Sequence, residues 1–229
     1  MSAAGEPILV ECRRQESVVT LILDDGETLE LSPDALPSDL PAAGTPVPAA
    51  LLEKLREAAT RKRLARRIFA LLDRRPWTVA RLRRKLTGEG FGPAAVDAVL
   101  ARFIAEELVS DRRFAEAFCR DALRAKPVGT RWLRARLAAQ GVPADMAAAA
   151  AGEALPPEAE RELARAAAVA RWRRGAAGRG PAATARVARF LAARGFPPAV
   201  AGRAARETAP AGGDRRYGVD DAPGEDDGA

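Results

Sequence analysis

The first thirty residues carry apolar side chains at alternating positions, which is the pattern of β-strands. The runs are Ile8 to Arg13, Ser17 to Leu23 and Thr28 to Leu31, and Asp25-Gly26 separates the last two. An Asp-Gly pair between alternating runs is a strong hairpin signal, because such turns need residues at positive φ. The pattern predicts a small three-stranded meander, which we expect to pack against helices, since three strands alone bury little.

The apolar spacing changes further along the chain. Five prolines between Ser32 and Pro48 exclude a long helix and predict an irregular connection. Beyond it, apolar residues recur at the spacing of one helix face, and Ser110 or Asp111 is the expected cap of a helix that follows. Six apolar residues of one segment follow this spacing over four turns, and we expect this face to be core. They are Val96, Val99, Leu100, Phe103, Ile104 and Leu108.

One motif occurs three times: two apolar residues four apart, a glycine four residues later, an apolar residue and a nearby proline. Glycine suits the left-handed position after a helix, and proline suits the first turn of the next helix. A second register recurs at spacings of 50 and 49 residues, which predicts a three-helix unit of about fifty residues. The copies are Leu82-x3-Leu86-x3-Gly90-Phe91, Leu133-x3-Leu137-x3-Gly141-Val142 and Val187-x3-Leu191-x3-Gly195-Phe196, followed by Pro93, Pro143 and Pro197.

These patterns predict a mainly α fold of tandem three-helix repeats, with a small N-terminal β meander and a disordered acidic C-terminal tail. The helices are expected near residues 51–73, 78–89, 93–108, 111–125, 130–140, 143–154, 157–174, 181–194 and 197–206.

The same patterns predict the domain organisation. A β segment with its Pro-rich linker takes 1–48, three helical repeats take 49–108, 109–155 and 156–207, and the tail takes 208–229.

The net charge of +6 is divided unevenly along the chain. Residues 1–53 carry a net charge of −8, residues 54–213 of +18 and residues 214–229 of −4. A basic body of this kind favours a polyanion or an acidic protein surface as partner. Arginine outnumbers lysine 33 to 4, which indicates compositional bias, so the charge alone is weak evidence.

The sequence offers little for catalysis. Histidine is absent, which removes the commonest general base and metal ligand. Cys12 and Cys119 are far apart, so neither a disulfide nor a zinc site is expected. The acidic pairs Glu106-Glu107 and Glu160-Glu162 are expected to be solvated or paired with arginine. We expect no enzyme activity, cofactor, metal or membrane span, and a cytoplasmic protein.

Basic residues recur on the second helix of each repeat. Where Val79, Leu82 and Leu86 point inward, the neighbouring cations must face elsewhere. A basic stripe on equivalent helices suits an extended polymer, although a solvated arginine-rich face would look the same. The candidate partner- or DNA-binding residues are Arg81, Arg83, Arg84, Lys85, Arg112, Arg113, Arg131, Arg134, Arg136, Arg186 and Arg189.

Two further interpretations concern nucleic acid. Trp77, Trp132 and Trp172 could stack on bases, but packing between repeats is the favoured interpretation. Three short helices with a glycine turn also fit a helix-turn-helix transcriptional regulator. The tandem occurrence of the unit favours an extended partner over one half-site.

The chain resembles the RecX family, which regulates RecA-type recombinases, mainly over positions 64 to 155. The usual Leu-Asp-Asp before the family's Phe-Ala appears here as Val109-Ser110-Asp111. The β segment is similar to an N-terminal extension of some members. The strongest matches are Leu82-Arg83-Arg84-Lys85-Leu86, Gly90-Phe91, Val96-x2-Val99-Leu100, Leu108, Asp111, Phe114-Ala115, Gly129, Leu133, Leu137 and Gly141-Val142.

The resemblance implies a non-enzymatic regulator of recombination, DNA repair and the SOS response. Such a chain would lie as a monomer in the groove of the recombinase filament on single-stranded DNA. It would modulate, and we expect inhibit, filament growth, ATP hydrolysis and strand exchange.

Overall fold

The computed structural model describes residues 6–174 and 180–210. A three-stranded antiparallel sheet comes first, with strands β1 (Leu9–Arg14), β2 (Val19–Leu23) and β3 (Thr28–Leu31) in the order β1-β2-β3. The predicted meander is therefore confirmed, and Gly26 lies in its predicted turn at φ +85°.

The helices of the described residues match the repeat prediction to within a few residues at each end, and the fold class is confirmed. They are α1 (Ala49–Leu72), α2 (Val79–Gly88), α3 (Pro93–Ala105), α4 (Asp111–Ala125), α5 (Thr130–Ala139), α6 (Ala144–Ala154), α7 (Pro157–Arg173), α8 (Pro181–Ala193) and α9 (Pro198–Glu207).

The sheet packs on the first half of α1, as its small size requires. Val19, Leu21 and Leu23 form the buried face of β2, and their core includes Leu52 and Leu55 of α1. The Pro-rich connection is part of the same structure, because its Val47 is fully buried. This sheet-and-α1 core explains how a short meander is stable.

Ion pairs tie the acidic β segment to α1. Arg56 contacts Glu27 at 2.7 Å, and Arg66 contacts Glu30 at 3.1 Å. Lys62 Nζ donates to the carbonyl oxygens of Ser17 and Leu31 at 2.7 and 3.1 Å. Some of the cationic side chains of α1 therefore bind the β segment and stabilise the fold.

The predicted core face of α3 is wrong at its C-terminal end. Helix α3 stops at Ala105, and Glu107 adopts a left-handed conformation at φ +54°. Ile104, in the last turn of α3, is 45% exposed, and Leu108, beyond the turn, is 42% exposed, while Val109 is buried. The period of 3.6 residues predicts a side chain's direction only while the helix continues.

The chain divides into two compact units, which are Met1–Phe118 with Arg136–Ala150, and Cys119–Ala135 with Ala151–Ala229. Within the described residues, no helix has both the length and the apolarity that a membrane span requires.

Thr208 is the C-cap of α9, although the tail was predicted to start there. Its hydroxyl accepts from Trp172 Nε1 at 3.1 Å. The rest of the predicted disordered tail, 211–229, lies outside the described residues.

Candidate functional site

Helix α2 presents the strongest cluster of the predicted basic residues. Its N-cap is Thr78, and its Leu82 and Leu86 are fully buried, which directs the residues between them to solvent. Arg83, Arg84 and Lys85 are all exposed. We call these three residues the α2 basic face.

The α2 basic face makes only weak ion pairs. Arg83 Nη2 lies 2.5 Å from Asp97 Oδ2, and Lys85 Nζ lies 3.2 Å from Glu89 Oε1. Arg83 and Asp97 are 54% and 47% exposed, so their pair contributes at most about 1 kcal/mol, and Lys85 shares Glu89 with Arg67, which lies closer to that carboxylate at 2.5 Å. In the parts of the chain that the structure describes, the Arg84 side chain has no ion pair. These three cations are thus largely available to an external anion.

Arg81 does not belong to this face, contrary to the prediction. Its Nη1 donates to Gln140 Oε1 at 2.6 Å, and its guanidinium lies 5.0 Å from the ring centroid of Trp77. Partial burial and the neighbouring Arg75 and Arg84 lower its pKa. Arg81 therefore joins two segments of the fold. The prediction failed here because the i, i+4 spacing alone does not reveal a distant amide partner.

The two predicted cations of α4 differ in role. Arg112 Nε lies 2.8 Å from Glu116 Oε1 on the exposed side of the helix. The Arg113 guanidinium instead donates to the carbonyl oxygen of Glu107, the left-handed residue after α3. Arg113 thus stabilises a turn.

The remaining predicted cations lie on α5 and α8. Arg131, Arg134 and Arg136 of α5 are exposed, as are Arg186 and Arg189 of α8. The buried positions of these two helices include Leu133, Leu137, Val187 and Leu191, as the repeat predicts.

Sequence reasoning missed how the glycine turns are used. In the first unit, the turn after α5 packs on the start of α2: Thr78 Oγ1 donates to the carbonyl oxygen of Gln140 at 2.6 Å. A Cβ on Gly141 would lie 2.5 Å from Ala80 Cβ, so only glycine fits without a shift. We call this contact the Gly141 joint.

An equivalent contact occurs in the second unit, between the turn after α8 and the start of α5. Gly129 N donates to the carbonyl oxygen of Arg194 at 2.9 Å, and Arg131 N donates to that of Gly195 at 3.1 Å. A Cβ on Gly195 would overlap Trp132, and one on Gly129 would overlap Gly195. We call this contact the Gly195 joint; its signal in the sequence is the motif glycine paired with Gly129.

Each joint has a carboxylate that caps the receiving helix. Asp111 Oδ1 accepts from Val79 N at 2.9 Å, and Glu160 Oε1 accepts from Thr130 N at 2.7 Å and Thr130 Oγ1 at 3.0 Å. An acidic group at a helix N-terminus satisfies a free amide and complements the helix dipole. Burial raises the pKa of Asp111, although the hydrogen bond from Val79 opposes the change.

These caps correct one prediction and settle another. Glu160 was expected to be solvated or paired with arginine, but it is 6% exposed and bonded to Thr130. Of the two residues expected to cap α4, Ser110 is the one that caps it, since its Oγ accepts from Arg113 N at 3.2 Å. Asp111 is thereby left to cap α2.

The tryptophans and cysteines have structural surroundings. Trp77 Nε1 donates to the carbonyl oxygen of Leu71 at 3.0 Å, and Lys126 Nζ lies 4.4 Å from the ring centroid of Trp132. Cys12 and Cys119 are free thiols, and burial raises the pKa of Cys119. Over residues 6–174 and 180–210, no three His, Cys, Asp or Glu side chains converge as metal ligands would.

Comparison with known proteins agrees with this architecture. The family model described as the second three-helix domain of RecX matches residues 110–150. The protein named regulatory protein RecX of Thermus thermophilus is 40% identical over 131 residues, which cover 57% of this chain and 82% of that protein. That of Corynebacterium efficiens is 34% identical over 160 residues, which cover 66% of this chain and 75% of the relative.

Two solved structures share the fold. A crystal structure of regulatory protein RecX superposes with a TM-score of 0.70 at 18% identity, covering 85% of this chain and 96% of that one. The crystal structure of RecX from Lactobacillus salivarius gives 0.61 at 15% identity, covering 66% and 97%. These structures show a shared fold, and the identity of 34–40% to relatives covered over 75–82% of their length shows that the chain belongs to the RecX family of regulatory proteins.

Proposed function

We propose that this chain binds the filament that a RecA-type recombinase forms on single-stranded DNA, and inhibits its growth, ATP hydrolysis and strand exchange. Membership of a family of regulatory proteins supports a regulatory role. The observation that carries the proposal is the set of exposed cations at equivalent positions of the repeat. Its members are Arg83 with Arg134, Lys85 with Arg136, and Arg84 with Arg189.

This recurrence favours an extended anionic partner over a compact one. Position by position, α2, α5 and α8 keep their buried apolar residues, and each also carries cations on the solvent side. Cations placed periodically can meet phosphates or acidic side chains placed periodically on a polymer. A filament of protein on DNA offers both.

The weak ion pairs of the α2 basic face fit this role. Separating Arg83 from Asp97 costs little, because both groups are already solvated. On binding, Arg83 would exchange the exposed carboxylate of Asp97 for an external carboxylate or phosphate that is less hydrated. We therefore expect affinity to come from several cations together, with a steep dependence on salt.

The repeats at 49–108, 109–155 and 156–207 would be the modules that follow the filament, and the chain would act as a cytoplasmic monomer without catalytic activity of its own. Arg81 and Arg113, which serve contacts within the fold, would support binding indirectly.

The direct test adds the protein to preformed recombinase filaments on single-stranded DNA. ATP hydrolysis, filament length by electron microscopy and strand exchange are followed as the ratio of protein to recombinase rises. We expect all three to fall at or below one protein per recombinase subunit. No change at equimolar protein would contradict the proposal.

A parallel measurement separates the alternative of a helix-turn-helix transcriptional regulator. The proposed filament regulator should bind naked DNA weakly, with affinity that falls steeply with salt and ignores sequence. Tight binding to one duplex sequence that persists at high salt would favour the transcriptional role.

A further inference from the structure

A groove between α7 and α9, within the second unit, has no role in the proposed filament contacts. Ala199, Val200 and Ala204 form its apolar floor. Three arginines, Arg161, Arg165 and Arg203, and the carboxylate of Glu207 line it as well. We call it the α7–α9 groove.

The groove has more positive than negative charge. Arg165 Nε lies 2.8 Å from Glu207 Oε2, and Arg161 Nη2 lies 2.7 Å from Glu158 Oε1. Among residues 6–174 and 180–210, Arg203 has no ion pair. Glu158 is 75% exposed, so its ion pair with Arg161 is weak. Two arginines are thus available to a further anion.

The chain itself supplies a segment of matching chemistry. The sequence after Pro210 contains Tyr217 and Val219, which are followed directly by Asp220 and Asp221. From Tyr217 to Ala229 it carries five acidic side chains and no basic one. An aromatic and an aliphatic side chain fit an apolar floor, and the adjacent carboxylates fit arginines at its edge.

The connection is long enough for this segment to reach the groove. Helix α9 ends at Glu207, itself a lining residue, and Ala199 lies eight residues earlier, which is roughly 12 Å along a helix. Tyr217 lies seven Cα–Cα steps beyond Pro210, which can span at most about 23 Å when extended. The acidic segment can therefore turn back over the full length of the groove.

We propose that the acidic segment 217–229 docks in cis in the α7–α9 groove, with Tyr217 and Val219 on its floor and Asp220 and Asp221 at Arg161 and Arg203. A short tether gives an effective concentration in the millimolar range, so even weak contacts keep such a segment bound. The docked segment occupies cations of the second unit and competes there with any external polyanion.

The test uses the full chain labelled with 3-fluorotyrosine. Tyr217 is the only tyrosine of the sequence, so the fluorine spectrum has one resonance. At low salt we expect this resonance to be broader and shifted relative to that of a synthetic peptide of residues 211–229. It should return to the peptide position at about 1 M salt, where the screening length is only about 3 Å.

Two variants locate the contact from both sides. Arg161→Glu with Arg203→Glu should move the resonance to the peptide position, and so should Asp220→Asn with Asp221→Asn. The second variant leaves the groove untouched, so it stays informative if the first unfolds. Arg189→Glu, at an exposed site of α8 that does not line the groove, should leave the resonance unchanged.

A wild-type resonance that coincides with that of the peptide would overturn the inference. So would a shifted resonance that ignores both variants, or one that moves only in the Arg189 control. Because the measurement contains neither recombinase nor DNA, its failure would leave the filament proposal standing, and the reverse also holds.

Discussion

Helices α1 to α3 and helices α7 to α9 follow one repeat pattern but build their cores from different side chains. The core of α1–α3 contains ten buried residues, and none is alanine. The core of α7–α9 also contains ten among the residues that the structure describes, and seven of them are alanine. Among the described residues, the large buried ones of the second core are Val187, Leu191 and Phe196, and partly buried Leu163, Trp172, Phe190 and Val200 pack against it.

This difference shows which positions of the repeat are kept and at which positions side-chain volume varies. Both cores keep the apolar pair of the second helix and the glycine that follows, at Leu82, Leu86 and Gly90 and at Val187, Leu191 and Gly195. Side-chain volume elsewhere is free to vary, because smaller residues let helices approach more closely. Burial energy is thus spread widely in α1–α3 and concentrated in a few residues in α7–α9.

The largest expected effect tests whether the burial energy of α7–α9 comes mainly from a few large side chains. Phe196→Ala should destabilise the second unit by about 3–5 kcal/mol, because a fully buried ring leaves a cavity that alanines cannot fill. Leu191→Ala should follow at about 2–5 kcal/mol. Urea unfolding monitored by tryptophan fluorescence measures both, with Trp77 replaced by Phe in both variants and in their parent chain so that the signal comes from Trp132 and Trp172 of the second unit.

The control is Leu100→Ala in the α1–α3 core, where larger neighbours can relax into the space. We expect a smaller loss there than for Leu191→Ala. Equal losses would show that the alanine-rich core adapts as well as the other.

The next prediction compares the stability cost of replacing two glycines of similar backbone conformation. Gly195 and Gly90 both have positive φ, +84° and +93°, but only Gly195 packs tightly in a joint, whereas a Cβ on Gly90 would meet nothing within 4 Å. Gly90→Ala should cost about 1–2 kcal/mol, from the left-handed conformation alone. Gly195→Ala should cost about 1–3 kcal/mol more, from overlap with Trp132.

Thermal and urea unfolding of the two alanine variants measure this difference. Equal costs would mean that the Gly195 joint gives way easily and does not fix the position of the α8 turn.

A smaller effect concerns the carboxylate caps of the two units. Glu160→Ala should cost about 1–3 kcal/mol, because it leaves the amide and hydroxyl of Thr130 without their partner. Asp111→Asn should change stability by less than about 1 kcal/mol at neutral pH, because an amide oxygen can still accept from Val79 N.

The Asp111 variant also has a pH signature. Since burial raises the pKa of Asp111 in the folded state, the unfolded chain loses this proton first as pH rises. The wild type therefore loses stability relative to Asp111→Asn as pH rises from the unfolded pKa to the folded one. Urea midpoints from about pH 3.5 to 7 measure this trend, and the opposite slope would contradict the assigned cause.

The sequence predicts the fold better than the site. Periodicity gives the hairpin, the helices and the repeat, because the burial of Leu82, Leu133 and Val187 depends on local spacing alone. It fails at Leu108, which lies beyond the end of α3, and at Ile104, which is exposed in the last turn of that helix.

The roles of single polar residues were harder to predict, since their partners are distant in sequence. Arg81 meets Gln140 across 59 positions, and Glu160 meets Thr130 across 30. A charged residue on a helix surface gives no local sign of such a partner. The α2 basic face could be predicted because its residues share one helix and one exposed side.

The central claim is that the α2 basic face binds the recombinase filament, and one comparison tests it most directly. The triple variant Arg83→Ala, Arg84→Ala, Lys85→Ala is compared with a control triple, Arg13→Ala, Arg14→Ala, Arg61→Ala, which removes the same charge from exposed sites of the same unit. We expect the first to need at least about tenfold more protein for half-inhibition of filament ATP hydrolysis, equivalent to about 1.4 kcal/mol, with its unfolding midpoint nearly unchanged. The control should stay close to wild type, and equal losses in both triples, or none in the first, would contradict the claim.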